Sequence, residues 1–295
     1  MRKTALLLGL GVLAGCSVFG SSRPSGTIVV PPPGSPQPDP SGLGQQQPNT
    51  NHIHALASRG APSRLLIGTH FGVSAAKPGA SPVPVGGSSP KGDVLQVAYG
   101  PDGTAYASGH AFGIQVSRDD GATWALISAD VANLDVHGFA VDPTNGKNLY
   151  IYAVGKGVLV SSDGGAHWEH RAGYADSHYL TGLAVTADGT LLAGSPELGI
   201  AASSDHGSSF AAVRSGTGQV YSLAASAQSA DIVVAATEFG IFLTSNGGKD
   251  WDIGQTAVVI TGISIDPKDQ RRFYAGGADG SVFTTTDSGA NWSAY

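Results

Sequence analysis

The stretch SSDGGAHW, residues 161–168, sets one short acid between hydroxyl residues and two glycines and ends on a tryptophan. Such a run fits a metal-binding loop, a catalytic turn or a structural staple, and its recurrence decides among them. The pattern returns as SRDDGATW at 117–124, SSDHGSSF at 203–210, TSNGGKDW at 244–251 and TTDSGANW at 285–292. The shared template is Ser or Thr, any residue, Asp or Asn, any residue, Gly, two residues, then Trp or Phe. Its acid position falls at Asp119, Asp163, Asp205, Asn246 and Asp287, and its ring at Trp124, Trp168, Phe210, Trp251 and Trp292. The acid positions are 44, 42, 41 and 41 residues apart, the length of one four-stranded propeller blade.

The chemistry of the template suits a turn between two strands. The hydroxyl and the short acid accept hydrogen bonds from backbone N–H groups that a turn leaves unpaired, the glycine permits positive φ, and the ring packs back on the hairpin. A calcium site needs more oxygen ligands than one acid per loop supplies, which favours the staple. The five matches resemble the Asp-box, or BNR, repeat of sialidases, sortilin ectodomains, some glycoside hydrolases and the photosystem II stability and assembly factors. That resemblance implies a β-propeller over residues 51–295. It implies no single activity, because proteins with this repeat share the turn and not the chemistry.

Aligned on the template, the chain divides into six units. A first strand recurs as HIHALA, LQVAYG, HGFAVDP, TGLAVTADG, YSLAAS and TGISIDP, and a third as FGVSAA, FGIQVS, GVLVSS, LGIAAS, FGIFLT and GSVFTT. The first unit has lost its template: KPGASPVPVGG follows FGVSAA, with prolines and glycines in place of the acid and the ring. The last unit reaches a fourth strand in NWSAY, so the ring is expected to close without a strand shared between the termini. The fold class is all-β, a six-bladed propeller of four-stranded antiparallel blades. The 43 glycines and the 13% of charged residues agree with many short strands and tight turns.

Ahead of the repeats, MRKTALLLGLGVLAGC carries Arg2 and Lys3, an apolar run from Ala5 to Leu13 and then Cys16, the only cysteine. The stretch resembles a bacterial lipoprotein signal. That implies cleavage after residue 15, lipid on Cys16 and an exported protein anchored to a bacterial membrane. Losing Arg2 and Lys3 takes the formal charge from −6 to −8, and an acidic domain is a poor partner for nucleic acid. With one cysteine no intramolecular disulfide can form, so the core must supply the stability. Residues 16–50, rich in Pro, Gly, Ser and Gln, read as a tether.

Within a propeller the repeated turns and the ligand face lie at opposite ends, so function is sought at the links from second to third strand and at the starts of the first strands. The links are expected to place His70, His110, Glu197, Glu238 and Asp279 at equivalent positions, with Lys156 near the place in the third unit. The strand starts add His52, His54 and His137, with His178 and Tyr179 ahead of the fourth. Alternation puts His52 and His54 on one side. One half of the mouth is then histidine-rich and the other carboxylate-rich. Imidazoles with a carboxylate suit a transition metal such as Zn or Cu; the competing reading is a wet funnel of hydrogen-bonded histidines. His167, His170 and His206 fall at turn or outer-strand positions and look incidental.

The sialidase resemblance implies an arginine triad at the mouth, and none of Arg59, Arg64, Arg118, Arg171, Arg214, Arg271 or Arg272 is expected there. A different glycoside hydrolase would need two carboxylates flanking the bond, which Glu197, Glu238 and Asp279 could supply. The candidate sugar platforms are Phe71, Phe112, Tyr179, Tyr221 and Phe239. Binding or docking of an envelope protein, a glycan or a metal ion is therefore the expected function, with hydrolysis as the alternative.

Overall fold

Each unit reads as four short β-branched runs separated by glycines and polar turn residues, and each becomes one antiparallel sheet. The computed structural model describes residues 52–61, 64–87 and 90–295. It contains six four-stranded sheets, each built from four strands consecutive in the chain. The innermost strands are Ile53–Ser58, Val94–Tyr99, Val136–Val141, Thr181–Val185, Val220–Ala225 and Ile260–Asp266. Each lies beside the innermost strands of the units before and after it, and Ile53–Ser58 lies between Val94–Tyr99 and Ile260–Asp266. The chain is a closed six-bladed β-propeller, and among the described residues the first and last blades are each completed by their own four consecutive strands. The signal, Cys16 and the tether lie outside the described residues.

The core is divided rather than central. Six apolar clusters occupy the six interfaces between neighbouring blades. The alternation of the second strands explains this. Leu66 faces the second blade, while Leu65 and Ile67 face the sixth. Likewise Leu149 and Ile151 face the second blade while Tyr150 and Tyr152 face the fourth. Sheets covered on both faces leave no polar side, which is why these strands read as near-continuous apolar runs. The seam between the last and first blades also carries a polar stitch. Buried Asp266 accepts hydrogen bonds from the Ala61 N–H at 2.8 Å and the Tyr274 hydroxyl at 3.1 Å.

The repeated turn closes its own hydrogen bonds. In the five copies the Ser or Thr hydroxyl accepts from the glycine N–H at 2.8–3.2 Å and donates to the Asp or Asn Oδ1 at 2.7–3.0 Å. That Oδ1 also accepts the N–H four residues on, at 2.8–3.0 Å. The residue after the acid and the glycine are both left-handed, with φ from 58° to 95°. This is the staple; the acid's oxygens are spent on the turn. His167 is not incidental: its Nδ1 lies 2.7 Å from the second oxygen of Asp163, the place taken by Thr123, Ser209 and Asn291 elsewhere. The first unit, without the motif, ends in a short exposed strand at Val83–Pro84.

Candidate functional site

One irregularity, repeated in all six blades, builds the mouth. The innermost strand carries an extra residue against its neighbour, so that Ile53 pairs with Thr69 but Ala55 with Gly68. The extra residues are His54, Leu95, His137, Gly182, Tyr221 and Thr261. A bulge of this kind re-aims a side chain. Two further positions flank it. One is the residue before the strand: His52, Asp93, Asp135, Leu180, Gln219 or Val259. The other opens the second-to-third link: His70, His110, Val154, Pro196, Glu238 or Ala278. Backbone bonds of 2.8–3.2 Å from His110, Val154, Glu238 and Ala278 to the carbonyls of Asp93, Asp135, Gln219 and Val259 hold these positions together.

The first three blades fill seven of these nine seats with imidazoles and carboxylates, the exceptions being Leu95 and Val154. In the first blade the His52, His54 and His70 rings stand 4.3–5.5 Å apart between centroids, so His52 and His54 do share a side. Their ligand atoms lie within 4.8 Å of one another. Asp93 joins them from the second blade. Its Oδ1 is 3.0 Å from both His54 Nε2 and His70 Nδ1, which are 3.2 Å from each other. Its other oxygen is 3.4 Å from His110 Nε2. His110 Nδ1 in turn meets Asp135 Oδ1 at 2.8 Å, and the same oxygen is 3.0 Å from His137 Nε2. The Tyr179 hydroxyl closes on His137 Nδ1.

Burial keeps the inner members of this chain neutral. Burial, the main cause, pushes His54 down to about 4, against the attraction of Asp93 and with help from the neighbouring imidazoles. Burial also lowers His52 and His137. Neutral imidazole is the form that ligates a metal. Not every close approach here is a hydrogen bond. Asp93 Oδ1 and His52 Nε2 are buried and have no hydrogen bond of acceptable geometry.

The structure thus brings together all five predicted histidines and adds Asp93 and Asp135, which sequence reasoning missed. A signal was present: Asp93-Val94 and Asp135-Val136 align with His52-Ile53 at the entry to successive inner strands.

The carboxylate half differs from expectation. Only Glu238 shares the seat of His70 and His110; Pro196 and Ala278 take it in their blades, which moves Glu197 and Asp279 one residue along. Each carboxylate is engaged locally. Glu197 accepts from the Tyr174 hydroxyl at 3.1 Å and lies 3.4 Å from His178 Nε2. Glu238 accepts from the Gln219 N–H at 3.2 Å, and Asp279 caps its own turn through the Ser281 N–H at 3.0 Å. The arginines sit elsewhere: Arg59 and Arg64 pair with Asp120, Arg272 with Asp269 and Arg171 with Glu169. A cavity of about 600 Å³ is lined by the inner strands and the first-to-second links. It includes none of the mouth histidines.

No protein-family model matches the chain, and no curated protein matches it. Solved propellers do. The GH74 enzyme of Niastella koreensis superposes with a TM-score of 0.56 at 17% identity, over 82% of this chain and 47% of that one. An ancestral GH74 enzyme gives 0.55 at 15% identity, over 84% and 38%. This chain therefore spans less than half the length of either GH74 structure. YCF48 bound to D1 peptide gives 0.53 at 17% identity, over 80% and 77%. At these identities the likeness shows the fold.

Proposed function

We propose that this chain is a binding module of the bacterial cell envelope, anchored by lipid on Cys16, whose mouth takes up a transition-metal ion through His52, His54, His70 and Asp93. One observation carries the reading: His54 Nε2, His70 Nδ1 and Asp93 Oδ1 form a triangle with edges of 3.2, 3.0 and 3.0 Å. Ligand atoms bonded to a tetrahedral Zn(II) at about 2.0–2.1 Å stand about 3.3 Å apart, and a sixfold site at similar bond lengths brings them to about 3.0 Å. Hydrogen bonding accounts for one edge, His54 Nε2 to His70 Nδ1; the two edges from Asp93 Oδ1 are approaches of ion-pair length without hydrogen-bond geometry. Neutral nitrogen with one carboxylate suits Zn(II) or Cu(II) rather than Mg(II) or Ca(II).

The test is metal content of the purified full chain, carrying no histidine tag, after equilibration with Zn(II) or Cu(II) and removal of the excess. A fixed metal ratio that falls in the His54→Ala/His70→Ala variant supports the reading. A wild-type chain that retains neither metal overturns it.

A second reading, glycan binding or hydrolysis, draws on the GH74 likeness and on one local feature. A hollow of about 370 Å³ beside Glu238 is lined by Phe239, Gln255 and Val259, and Phe239 and Val259 are 52% and 55% exposed. An aromatic face with a carboxylate and an amide is a sugar-binding composition. Turnover of a polysaccharide that Glu238→Gln or Glu197→Gln abolishes would establish hydrolysis; a wild-type protein inert on a polysaccharide panel would remove it. Docking of a protein partner, supported by the YCF48 likeness, predicts that the same two variants leave partner binding intact.

A further inference from the structure

The metal reading uses only half of the connected side chains. Beyond Asp93 lies a second group, His110, Asp135 and His137, whose ligand atoms also lie within 4.8 Å of one another. We propose that this group holds a second transition-metal ion, through His110 Nδ1, Asp135 Oδ1 and His137 Nε2, and that Asp93 links the two sites. The inference rests on the metal reading of the first site.

Three observations support it. Asp135 Oδ1 sits between two imidazole nitrogens, at 2.8 and 3.0 Å, which repeats the arrangement around Asp93 Oδ1. His137 is held by its other nitrogen: the contact with Tyr179 lets Nδ1–H donate to the phenol oxygen, which leaves the Nε2 lone pair facing Asp135. A metal-bound imidazole is commonly oriented in this way through its remote nitrogen. The bulge that aims His137 is itself pinned, since the Gln96 side-chain amide donates to the His137 carbonyl at 3.1 Å.

The link between the sites is specific. If His110 ligates through Nδ1, its Nε2 carries the proton and donates toward the second oxygen of Asp93, 3.4 Å away. Asp93 then serves the first ion with Oδ1 and orients a ligand of the second with Oδ2. Two imidazoles and one carboxylate also leave open positions on the second ion, so that ion is where an exogenous donor would bind. The bland alternative is a chain of His–Asp hydrogen bonds that staples three blades together. It predicts a loss of stability, and no loss of metal, when Asp135 is removed.

The experiment is titration of the full chain with Zn(II), read by calorimetry and by the metal ratio after gel filtration. Wild type is expected to bind two equivalents. Asp135→Asn/His137→Ala and His54→Ala/His70→Ala should each bind one, and Asp93→Asn should weaken both. One equivalent in wild type that survives Asp135→Asn/His137→Ala overturns this inference and leaves the first site standing. No bound zinc at all overturns both. Should the double variant fail to fold, Tyr179→Phe asks the same question. It should weaken one equivalent about tenfold, the low end for loss of an outer partner, and unchanged affinity for both would overturn the proposal.

Discussion

The copy of the repeated turn in the fifth blade differs from the other four in a way that can be put to a quantitative test. Four copies place an Asp opposite a donor four residues on, with Thr123, His167, Ser209 and Asn291 facing the acid's second oxygen. The fifth has Asn246, and its partner is the acid Asp250, to which Asn246 Nδ2 donates at 2.9 Å. Polarity is reversed while the geometry is kept. Asn246→Asp should therefore be destabilising although it restores the majority residue. It removes one hydrogen bond to a charged group, worth about 1.5 kcal/mol at the low end for such bonds. It also sets two carboxylates near the 2.9 Å contact distance, where repulsion in a water-like dielectric is about 1.4 kcal/mol. Asp250 is exposed and can swing away, so a net loss of about 1–2 kcal/mol is expected. For a domain of this size that is about 3–6 °C in Tm. Thermal and urea unfolding at pH 7 would measure it, and adding Asp250→Ser to Asn246→Asp should recover most of the loss. A single variant as stable as the parent, or a double variant no better than the single, would refute the reasoning.

Three further outcomes follow from the same geometry. Ser203→Ala removes the acceptor that the buried Gly207 N–H reaches at 2.8 Å, so it should cost about 1–3 kcal/mol in urea unfolding; a loss below about 0.5 kcal/mol would contradict the staple role. Gly113→Ala should cost more than Gly79→Ala, because both have positive φ but a methyl at Gly113 would lie 2.1 Å from the Val131 carbonyl oxygen and one at Gly79 meets nothing; equal Tm values would count against the close approach. Acid sensitivity should come partly from the turns. Thr123 hydrogen bonds hold Asp119, and Ser209 hydrogen bonds hold Asp205, at about 2, so their stabilisation is complete above the unfolded value near ~4 and is lost as pH falls toward 2. Asp119→Ala/Asp205→Ala should be less stable at pH 7 yet decline less between pH 4 and 2, and parallel declines would dismiss this contribution.

What the sequence made legible follows from how sharply each feature constrains residue type. The repeated turn needs a hydroxyl, a short acceptor and a left-handed glycine, few residues satisfy those demands, and the period was plain. Blade count and closure came with it. The mouth was legible only in part. His52, His54, His70, His110 and His137 stood out because histidine is rare in strands of this kind. Asp93 and Asp135 did not, because the inner strands were aligned on the apolar pairs of LQVAYG and HGFAVDP, which placed both aspartates just outside. The cause is the bulge. An inserted residue at His54 and His137 breaks the period of two on which strand starts are judged, and only coordinates reveal that His52, Asp93 and Asp135 hold one structural position.

The same bulge explains how a sixfold fold supports a one-sided mouth. The apolar interfaces between blades reach past the bulge to Ile53, Val94, Val136, Val220 and Ile260, but the five mouth histidines are half-buried or exposed. The turns that staple each blade close at the opposite end. Most of the seats are therefore released from the demands of folding and can diverge: mainly histidine and aspartate in the first three blades, with Leu95 and Val154 among them, Gly182 and Pro196 in the fourth, Tyr221 and Glu238 in the fifth; Leu180 in the fourth stays in the core. If stability and chemistry are separated in this way, His70→Ala and Asp135→Asn, at side chains 41% and 39% exposed, should each shift the metal-free unfolding midpoint by less than about 0.5 kcal/mol, the range of ordinary surface changes. A loss several times larger in either variant would mean that the His–Asp chain is itself part of what holds the first three blades together, and would move the weight of evidence from ligand binding to structure.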